Sequence, residues 1–193
     1  MSSENTKKKI RKKLLEIMRG KEIRDIKTKE ITDALGISRT TFYLYYDSTY
    51  AVLQEIEDEY FDVNIQTFSQ YLACPCNDIY FNSPHPAALI AVKMMRENAE
   101  LHKSLWGQYG DPVFQHRCEN LVEDFITKRA IKEKYISIDE KYRDLVSAYI
   151  IGAQRAVFRY FTKKDLKGTD EEYAIFLYRL LFSPFRVNYE KFK

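Results

Sequence analysis

Five side chains between residues 39 and 45 have the chemistry to contact a nucleic acid: Arg39, Thr40, Tyr43, Leu44 and Tyr45. An arginine can donate two hydrogen bonds to guanine, and a threonine methyl or a leucine can pack on the methyl group of thymine. Tyrosine hydroxyls can bind phosphate oxygens. Together these residue types predict a surface that recognises duplex DNA. The alternative is that Tyr43 and Tyr45 pack against neighbouring helices.

The residues before this run predict a short helix and a tight turn. Thr28 can cap a helix that ends at Leu35, with Ile31 and Ala34 on its inner face. Gly36 follows at once and can adopt the positive φ that ends a helix. This turn would set the angle between the helix and the one that follows it.

The run itself is predicted to form a helix over residues 39–46, capped by Ser38. Phe42 and Tyr46, four residues apart, share one helical face and are expected to pack inward. The other side chains would face outward, where a cluster of large apolar groups is unfavourable unless a partner covers it. Two short helices joined by a turn with a glycine are the signature of a helix-turn-helix motif.

A longer helix is predicted on each side of the motif. Residues 7–19 place apolar side chains at helical spacing, opposite a face of lysine and arginine. After the motif, Asp47 and Ser48 can cap a connecting helix that extends to about residue 71. Its inner positions are expected to be Val52, Leu53, Ile56, Tyr60 and Val63. A solvated acidic face is expected at Glu55, Glu57, Asp58 and Glu59.

The segment from Ile31 to Tyr46, with the sequence ITDALGISRTTFYLYY, resembles the helix-turn-helix of the TetR family of transcriptional regulators. The similarity covers about residues 8–60 and includes Gly36, Ser38, Thr41, Tyr43 and Leu53. It implies a DNA-binding head followed by a helical domain that dimerises and binds a ligand. It also implies phosphate contacts from Thr28 and Tyr43, a backbone contact from Tyr45, and base contacts from Arg39, Thr40, Thr41 and Leu44.

One position departs from the family pattern. Family members usually carry a lysine just inside the fourth helix to bind a phosphate, whereas this chain has Thr49. The N-terminus of that helix still offers N–H groups and the positive end of its dipole. Thr49 therefore stays among the predicted DNA contacts. Lys12 of the basic first helix is expected to contribute affinity that does not depend on base sequence.

Charge is unevenly distributed along the chain. Residues 1–48 carry 12 lysines and arginines against 7 acids, whereas the remaining residues have a net charge of −2. A basic end on a slightly acidic body favours a module that binds a polyanion, although lysine-rich termini are often only solvated. The three cysteines are not a disulfide framework, and no apolar stretch is long enough to cross a membrane. We expect a cytoplasmic protein.

The rest of the chain is also predicted to be helical, which gives an all-α protein of about nine helices. Further helices are expected over residues 84–98, 100–106, 112–134, 138–164 and 170–183. Their starts are predicted from Ser83-Pro84, Asp111-Pro112, and the capping boxes Ser137 with Glu140 and Thr169 with Glu172. We expect two domains: residues 1–48, which continue into the connecting helix at 48–71, and residues 49–193.

The last two helices have more apolar positions than one buried stripe needs, which favours a second buried face. The resemblance implies that this face is a four-helix bundle between two subunits. Two heads spaced one DNA turn apart would then bind a palindromic operator. The expected homodimer contacts are Tyr142, Val146, Tyr149, Ala153, Val157, Phe176 and Leu180.

A pocket for a small-molecule effector of unknown identity is expected among the fifth to eighth helices. Candidate lining residues are His102, Trp106, Tyr109, Phe114 and His116, for which ordinary core packing is the alternative. The three histidines and three cysteines are not at metal-ligand spacing, and we find no motif for a catalytic nucleophile or a phosphate loop. We therefore expect no metal, no cofactor and no enzyme activity.

Two functions fit these residues. The first is a ligand-controlled repressor that binds a palindromic operator as a dimer. The second is a TetR-like co-regulator or scaffold that acts mainly through protein–protein contacts and binds DNA weakly, which Thr49 and the tyrosine-rich third helix favour. A small helical enzyme would need an unrecognised set of residues and ranks last.

Overall fold

The computed structural model describes residues 3–72, 78–125, 139–164 and 167–182, and these residues form nine α-helices and no β-strand. The helices are α1 (Ser3–Met18), α2 (Thr28–Leu35), α3 (Arg39–Tyr43), α4 (Thr49–Leu72), α5 (Pro86–Glu97), α6 (Ala99–Leu105), α7 (Pro112–Phe125), α8 (Arg143–Lys163) and α9 (Asp170–Phe182). The predicted all-α fold is confirmed for this part of the chain.

The chain divides into two compact units. The head unit comprises Met1–Asn64 together with Ala99–Gln115, and the body unit comprises Ile65–Asn98 together with His116–Lys193. Helix α6 and the first turn of α7 therefore belong to the head unit, although they follow α5 of the body unit in sequence. The head unit is larger than the helix-turn-helix motif alone.

The head unit packs around apolar side chains from its first four helices. Ile10, Leu14 and Met18 are spaced four residues apart on α1 and are fully buried, as expected for an amphipathic helix. Ile31 of α2 and Val52 of α4 are fully buried as well. Each such side chain contributes about 1.5–3 kcal/mol by leaving water. This core holds the two short helices of the motif in place.

Polar contacts join α6 to the end of α1. Ser104 is fully buried, and its hydroxyl donates to the carbonyl oxygen of Leu15 at 2.7 Å. Arg19 follows α1 and donates from Nη2 to Glu100 Oε2 at 2.6 Å and from Nε to Ser104 Oγ at 3.4 Å. These partners are more than 80 residues apart in sequence, so the pattern of neither helix alone predicts the contact.

Helices α5 and α9 form the core of the body unit, with α8 beside them. The buried members are Val92, Met95, Ala174 and Leu177, with Val157, Phe158 and Phe161 of α8 packed against them. The capping box predicted at the start of α9 is confirmed. The Glu172 N–H donates to Thr169 Oγ1 at 3.2 Å, and Glu172 Oε2 accepts from the Thr169 N–H at 2.9 Å.

The N-terminus of α2 differs from the prediction. The helix begins at Thr28 and its N-cap is Lys27, so Thr28 is not the capping residue. Glu30 provides the cap instead, because its Oε1 accepts from the Lys27 N–H at 2.9 Å, whereas a lysine side chain has no acceptor. On the inner face Thr32 is buried and Ala34 is exposed, contrary to the expectation from periodicity.

Helices α5 and α8 begin later than predicted. The helix α5 begins at Pro86, two residues after the expected start, because His85 caps it with Nδ1, which accepts from the Ala87 N–H at 3.2 Å. The helix α8 begins at Arg143 after a 3-10 turn. Ser137, the expected cap, lies outside the described residues, as does the predicted extension of α7 to residue 134.

The inner face of α4 is mostly as predicted, with Val52, Leu53, Ile56 and Tyr60 buried. Val63 is 61% exposed, so its predicted inner position is wrong. Glu57, expected on a solvated face, is only 5% exposed. A carboxylate among acidic neighbours gives no sign in the sequence that it will be buried.

Candidate nucleic-acid interface

Gly36 ends α2 and sets the turn into α3. Its backbone lies in the left-handed region, with a φ of 64°. The Gly36 N–H donates to the Asp33 carbonyl oxygen at 3.3 Å, and the Ile37 N–H donates to the Thr32 carbonyl oxygen at 3.1 Å. These bonds satisfy carbonyl groups that the end of a helix leaves without partners. The predicted glycine turn is confirmed.

Ser38 holds the start of α3. Its Oγ accepts from the Thr41 N–H at 2.9 Å and lies 2.8 Å from Thr41 Oγ1. The predicted cap is therefore confirmed, and the Thr41 hydroxyl is already engaged within the turn. The helix spans Arg39–Tyr43 and is shorter than predicted, because the chain leaves it at Leu44 and continues as a turn.

Two aromatic side chains anchor α3 to the head unit. Phe42 is fully buried and Tyr46 is 4% exposed, as their spacing predicts. Their ring centroids lie 6.1 Å apart. The burial of both rings fixes the direction in which the opposite face of α3 points.

Four side chains of α3 and its C-terminal end face solvent. Arg39 and Thr40 are exposed, Tyr43 is 53% exposed, and Leu44 is 75% exposed. The ring of Tyr43 packs edge-on against Phe42, with 5.6 Å between the centroids, which restricts its position. This short segment thus presents one cation, one hydroxyl with its methyl group, and two large side chains.

The remaining predicted DNA contacts differ in exposure. Lys12 is exposed on α1, whereas Thr28 and Tyr45 are half-buried. Thr49 is only 6% exposed, and its hydroxyl donates to the Ile26 carbonyl oxygen at 3.4 Å. Because the side chain of Thr49 is used inside the head unit, a phosphate contact at this position would have to come from the backbone at the start of α4.

Ion pairs between α1 and α4 support the end of the motif. Glu55 Oε2 lies 2.9 Å from Lys7 Nζ, and Glu55 Oε1 lies 3.7 Å from Arg11 Nη1. Arg11 also pairs with Glu59. The Tyr46 hydroxyl donates to Glu55 Oε1 at 2.8 Å. Glu55 therefore connects the buried tyrosine of the motif to both long helices of the head unit.

The environment of Glu55 shifts two pKa values. Burial acts to raise the pKa of Glu55, but hydrogen bonds from Lys7 and Tyr46 and the nearby cations outweigh it, so the pKa falls below its usual value. Burial, followed by the bond to Glu55, raises the pKa of Tyr46. Sequence reasoning missed this network. Its only signal is the matching four-residue spacing of Lys7 with Arg11 and of Glu55 with Glu59.

Three of the predicted ligand-binding residues lie in an aromatic cluster of the head unit, which consists of Tyr60, Phe61, His102, Trp106 and Phe114. All five side chains are buried. The centroid of the Phe114 ring lies 5.2 Å from Tyr60, 5.4 Å from Phe61 and 6.2 Å from Trp106. His102 Nε2 lies 3.0 Å from the Tyr60 hydroxyl oxygen. The burial of His102, Trp106 and Phe114 agrees with the alternative of core packing, and their role in ligand binding stays a prediction.

The other two predicted ligand-binding residues are not part of this cluster. Tyr109 is half-buried in the turn between α6 and α7 of the head unit. His116 is in the body unit and its side chain is 72% exposed, with Nδ1 4.0 Å from Glu119 Oε2. An exposed histidine paired with a carboxylate has the environment of an ordinary surface residue.

Helix α8 has two different faces. Val146 is buried and Val157 packs against the core, so these two predicted dimer residues are used within the body unit, and Ala153 is half-buried. The opposite side is exposed, and we call it the outer stripe; it consists of Tyr142, directly before the helix, and of Leu145, Tyr149, Gly152, Ala156 and Tyr160. On α9, Phe176 and Leu180 are 57% and 43% exposed.

Over the described ranges, no group of three or more histidine, cysteine, aspartate or glutamate side chains is placed to hold a metal ion. Within the same ranges, every helix is too short or too polar to cross a membrane. The side chain of Cys118 is half-buried.

Solved structures with the same fold cover nearly the whole chain. A TetR transcriptional regulator from Streptococcus agalactiae 2603V shares 18% identity at a TM-score of 0.63, with 95% of each chain covered. The fatty acid degradation regulator FadR from Bacillus halodurans shares 14% identity at a TM-score of 0.64, with 96% of this chain and 99% of that chain covered. The dihydroxyacetone kinase operon activator DhaS shares 17% identity at a TM-score of 0.50, with 94% and 97% covered. At these identities the similarity establishes the fold.

No protein with curated annotation matches the sequence significantly. A family model of a transcriptional regulator C-terminal region, TetR_C_8, matches residues 82–183, which is more than half of the chain. The match covers the part of the chain in which the sequence motifs are least specific, and the helix-turn-helix lies in the part before it. The chain therefore belongs to the TetR family of transcriptional regulators, a family of regulators rather than enzymes.

Proposed function

We propose that this regulator binds duplex DNA in a sequence-specific way through α3, as a homodimer, and acts as a repressor released by a small-molecule effector. The observation that carries the proposal is the exposure of Arg39, Thr40, Tyr43 and Leu44 on a short helix whose other face is fixed by buried aromatic rings. A helix held this way can enter the major groove with its leading turn.

The DNA contacts follow from the chemistry of the exposed groups. Arg39 donates to a guanine edge, and Thr40 and Leu44 pack on bases, as these side-chain types do in major grooves. The Tyr43 hydroxyl binds a phosphate, with Thr28 and Tyr45 nearer the backbone. Exposed Lys12, together with the N-terminus of α4, adds attraction for phosphates that does not depend on sequence.

The dimer forms through the outer stripe of α8 and the exposed pair Phe176 and Leu180 of α9. Residues of the outer stripe recur every three or four positions, and Gly152 and Ala156 at its centre are small enough for two helices to approach closely. A Cβ at Gly152 would meet no atom within 4 Å in the chain itself. Two heads held about 34 Å apart bind the two halves of a palindromic operator.

The effector binds in the body unit, and its binding shifts the heads away from the spacing that the operator needs. Such control requires that the effector bind the two arrangements with different affinity. Because its proposed target is chromosomal DNA, we expect the protein to act in the cytoplasm. Repression is the expected direction, although one of the similar structures, DhaS, is an operon activator.

Selection from a pool of randomised duplexes tests this proposal. We expect the full-length protein to enrich a palindrome whose half-sites are centred about 10 base pairs, or a multiple of that spacing, apart. Enrichment of no common sequence at low salt would contradict sequence-specific binding.

The alternative is a TetR-like co-regulator or scaffold that acts mainly through protein–protein contacts. The buried side chain of Thr49 favours it, because the start of α4 then lacks the cation that family members usually place there. The same selection separates the two functions, since a co-regulator of this kind would retain duplexes only weakly and without sequence preference.

A further inference from the structure

A serine without a hydrogen-bond partner lies on the buried side of α8 in the body unit. Val146, Ser147 and Ile150 are all buried there, and Ser147 is 4% exposed. Its Oγ is buried and has no hydrogen-bond partner among the described residues. Helical serines commonly bond to the carbonyl oxygen four residues earlier, and Ser147 does not. Its hydroxyl is thus a donor in an otherwise apolar part of the helix.

A second donor lies one helical turn earlier. Arg143 extends to the surface, where Nη2 donates to Glu140 Oε1 at 3.1 Å and the side chain is 42% exposed. Its Nε, however, is buried and has no hydrogen-bond partner in the part of the chain that the structure describes. Residues four apart on a helix are neighbours, with about 5–6 Å between their Cβ atoms. The residues that carry the two donors are thus neighbours on one side of α8.

Buried polar groups are rarely left without a partner, because the loss of water is then not compensated. An acceptor with two oxygens can satisfy both groups at once, since one oxygen can accept from the hydroxyl and the other from the guanidinium. Arginine and carboxylate form a charge-assisted pair of this kind. The neighbouring residues Val146 and Ile150 are buried and apolar, so the rest of such a ligand would make only hydrophobic contacts with them.

We infer that Ser147 and Arg143 form the anchor of the effector site, and that they bind the carboxylate of a small molecule whose remainder is apolar. The Ser147 hydroxyl donates to one carboxylate oxygen and Arg143 Nε donates to the other. The role of this ligand as an effector rests on the proposed function, whereas its binding does not.

Calorimetric titration of the full-length protein tests this inference with octanoate, decanoate and benzoate as probes. We expect at least one of them to bind, and decanol, which has no carboxylate, to bind at least tenfold more weakly than decanoate. Ser147→Ala and Arg143→Gln should each weaken carboxylate binding about tenfold, the loss of roughly one good hydrogen bond. The control is Arg155→Gln on the same helix, which removes a pair with Glu119 and should leave binding unchanged. Binding of none of the probes, or binding unaffected by both anchor variants, would overturn the inference.

The thermal midpoint of Ser147→Ala without ligand provides a second readout. We expect it to equal or exceed that of the wild type, because the substitution removes a buried donor that has no partner. A midpoint several degrees lower would show that the Ser147 hydroxyl already has a hydrogen-bond partner in the free protein. That result would contradict the proposed role of Ser147 in binding a carboxylate. Duplex binding is measured separately: its absence alongside carboxylate binding would refute the proposed regulator function and leave the anchor intact.

Discussion

At position 36 the backbone conformation decides which residue fits. Gly36 has a φ of 64°, and a Cβ there would meet no atom within 4 Å, so packing imposes no further restriction. We expect Gly36→Ala to lower the free energy of unfolding by about 1–2 kcal/mol, the cost of left-handed backbone for a residue with a Cβ. Urea unfolding measures it. Gly20→Ala, where the added Cβ makes only ordinary contact, is the control, and equal losses in both variants would contradict the account.

The carboxylate of Glu55 makes the head unit sensitive to acid. Its pKa in the folded state lies below the ordinary value of 4.5, so its contribution to stability is complete above that value and is lost as pH falls below it. We expect the stability of the wild type to decrease more steeply between pH 5 and pH 3 than that of Glu55→Gln, as measured by urea unfolding. Asp33→Asn changes an exposed carboxylate and is the control. Parallel curves for Glu55→Gln and the wild type would show that the network contributes nothing.

At the scale of elements, one buried hydroxyl contributes to the contact of α6 with α1. Ser104 is fully buried and donates to the Leu15 carbonyl oxygen at 2.7 Å. We expect Ser104→Ala to destabilise the protein by about 1–3 kcal/mol, because a buried acceptor loses its donor. Thr162→Ala removes a hydroxyl that bonds only to Arg159 on its own exposed turn and should change stability by no more than about 0.5 kcal/mol. A neutral Ser104→Ala would mean that this hydroxyl does not stabilise the contact between α6 and α1.

Helix ends that are set by residues close together in the sequence could be predicted. The glycine turn at Gly36 and the cap at Ser38 involve residues within a few positions of each other, and both agree with the structure. The inward direction of Phe42 and Tyr46 follows from their four-residue spacing. A large part of the candidate interface could therefore be predicted before any coordinates.

Features that depend on distant parts of the chain were not predictable. The burial of Thr49 follows from a bond to a carbonyl oxygen 23 residues earlier, and the packing of His102 depends on Tyr60, 42 residues away. The grouping of α6 with the head unit is of the same kind. Helical periodicity shows which side of a helix is apolar but not which helix it faces, so these features need the tertiary structure.

At the scale of the whole molecule, the proposed function makes DNA affinity depend on dimer formation. The outer stripe of α8 is unfavourable in water unless a partner covers it, and the partner in our proposal is a second copy of the chain. We expect Tyr149→Glu to convert the dimer to a monomer in analytical ultracentrifugation and to weaken duplex binding at least tenfold, because two linked heads reinforce each other. Ile79→Glu alters another exposed apolar residue of the body unit and should leave both properties unchanged. A monomeric wild type would contradict this assembly.

The central claim is that the exposed side of α3 recognises bases, and fluorescence anisotropy on a duplex selected by the protein tests it most directly. We predict that Arg39→Ala loses about 1–3 kcal/mol of binding to that duplex and little to a scrambled one. Lys12→Ala should weaken both duplexes alike and reduce the dependence of affinity on salt. If Arg39→Ala instead binds the selected duplex as tightly as the wild type, or weakens both duplexes equally, α3 does not recognise bases through Arg39 and the account is contradicted.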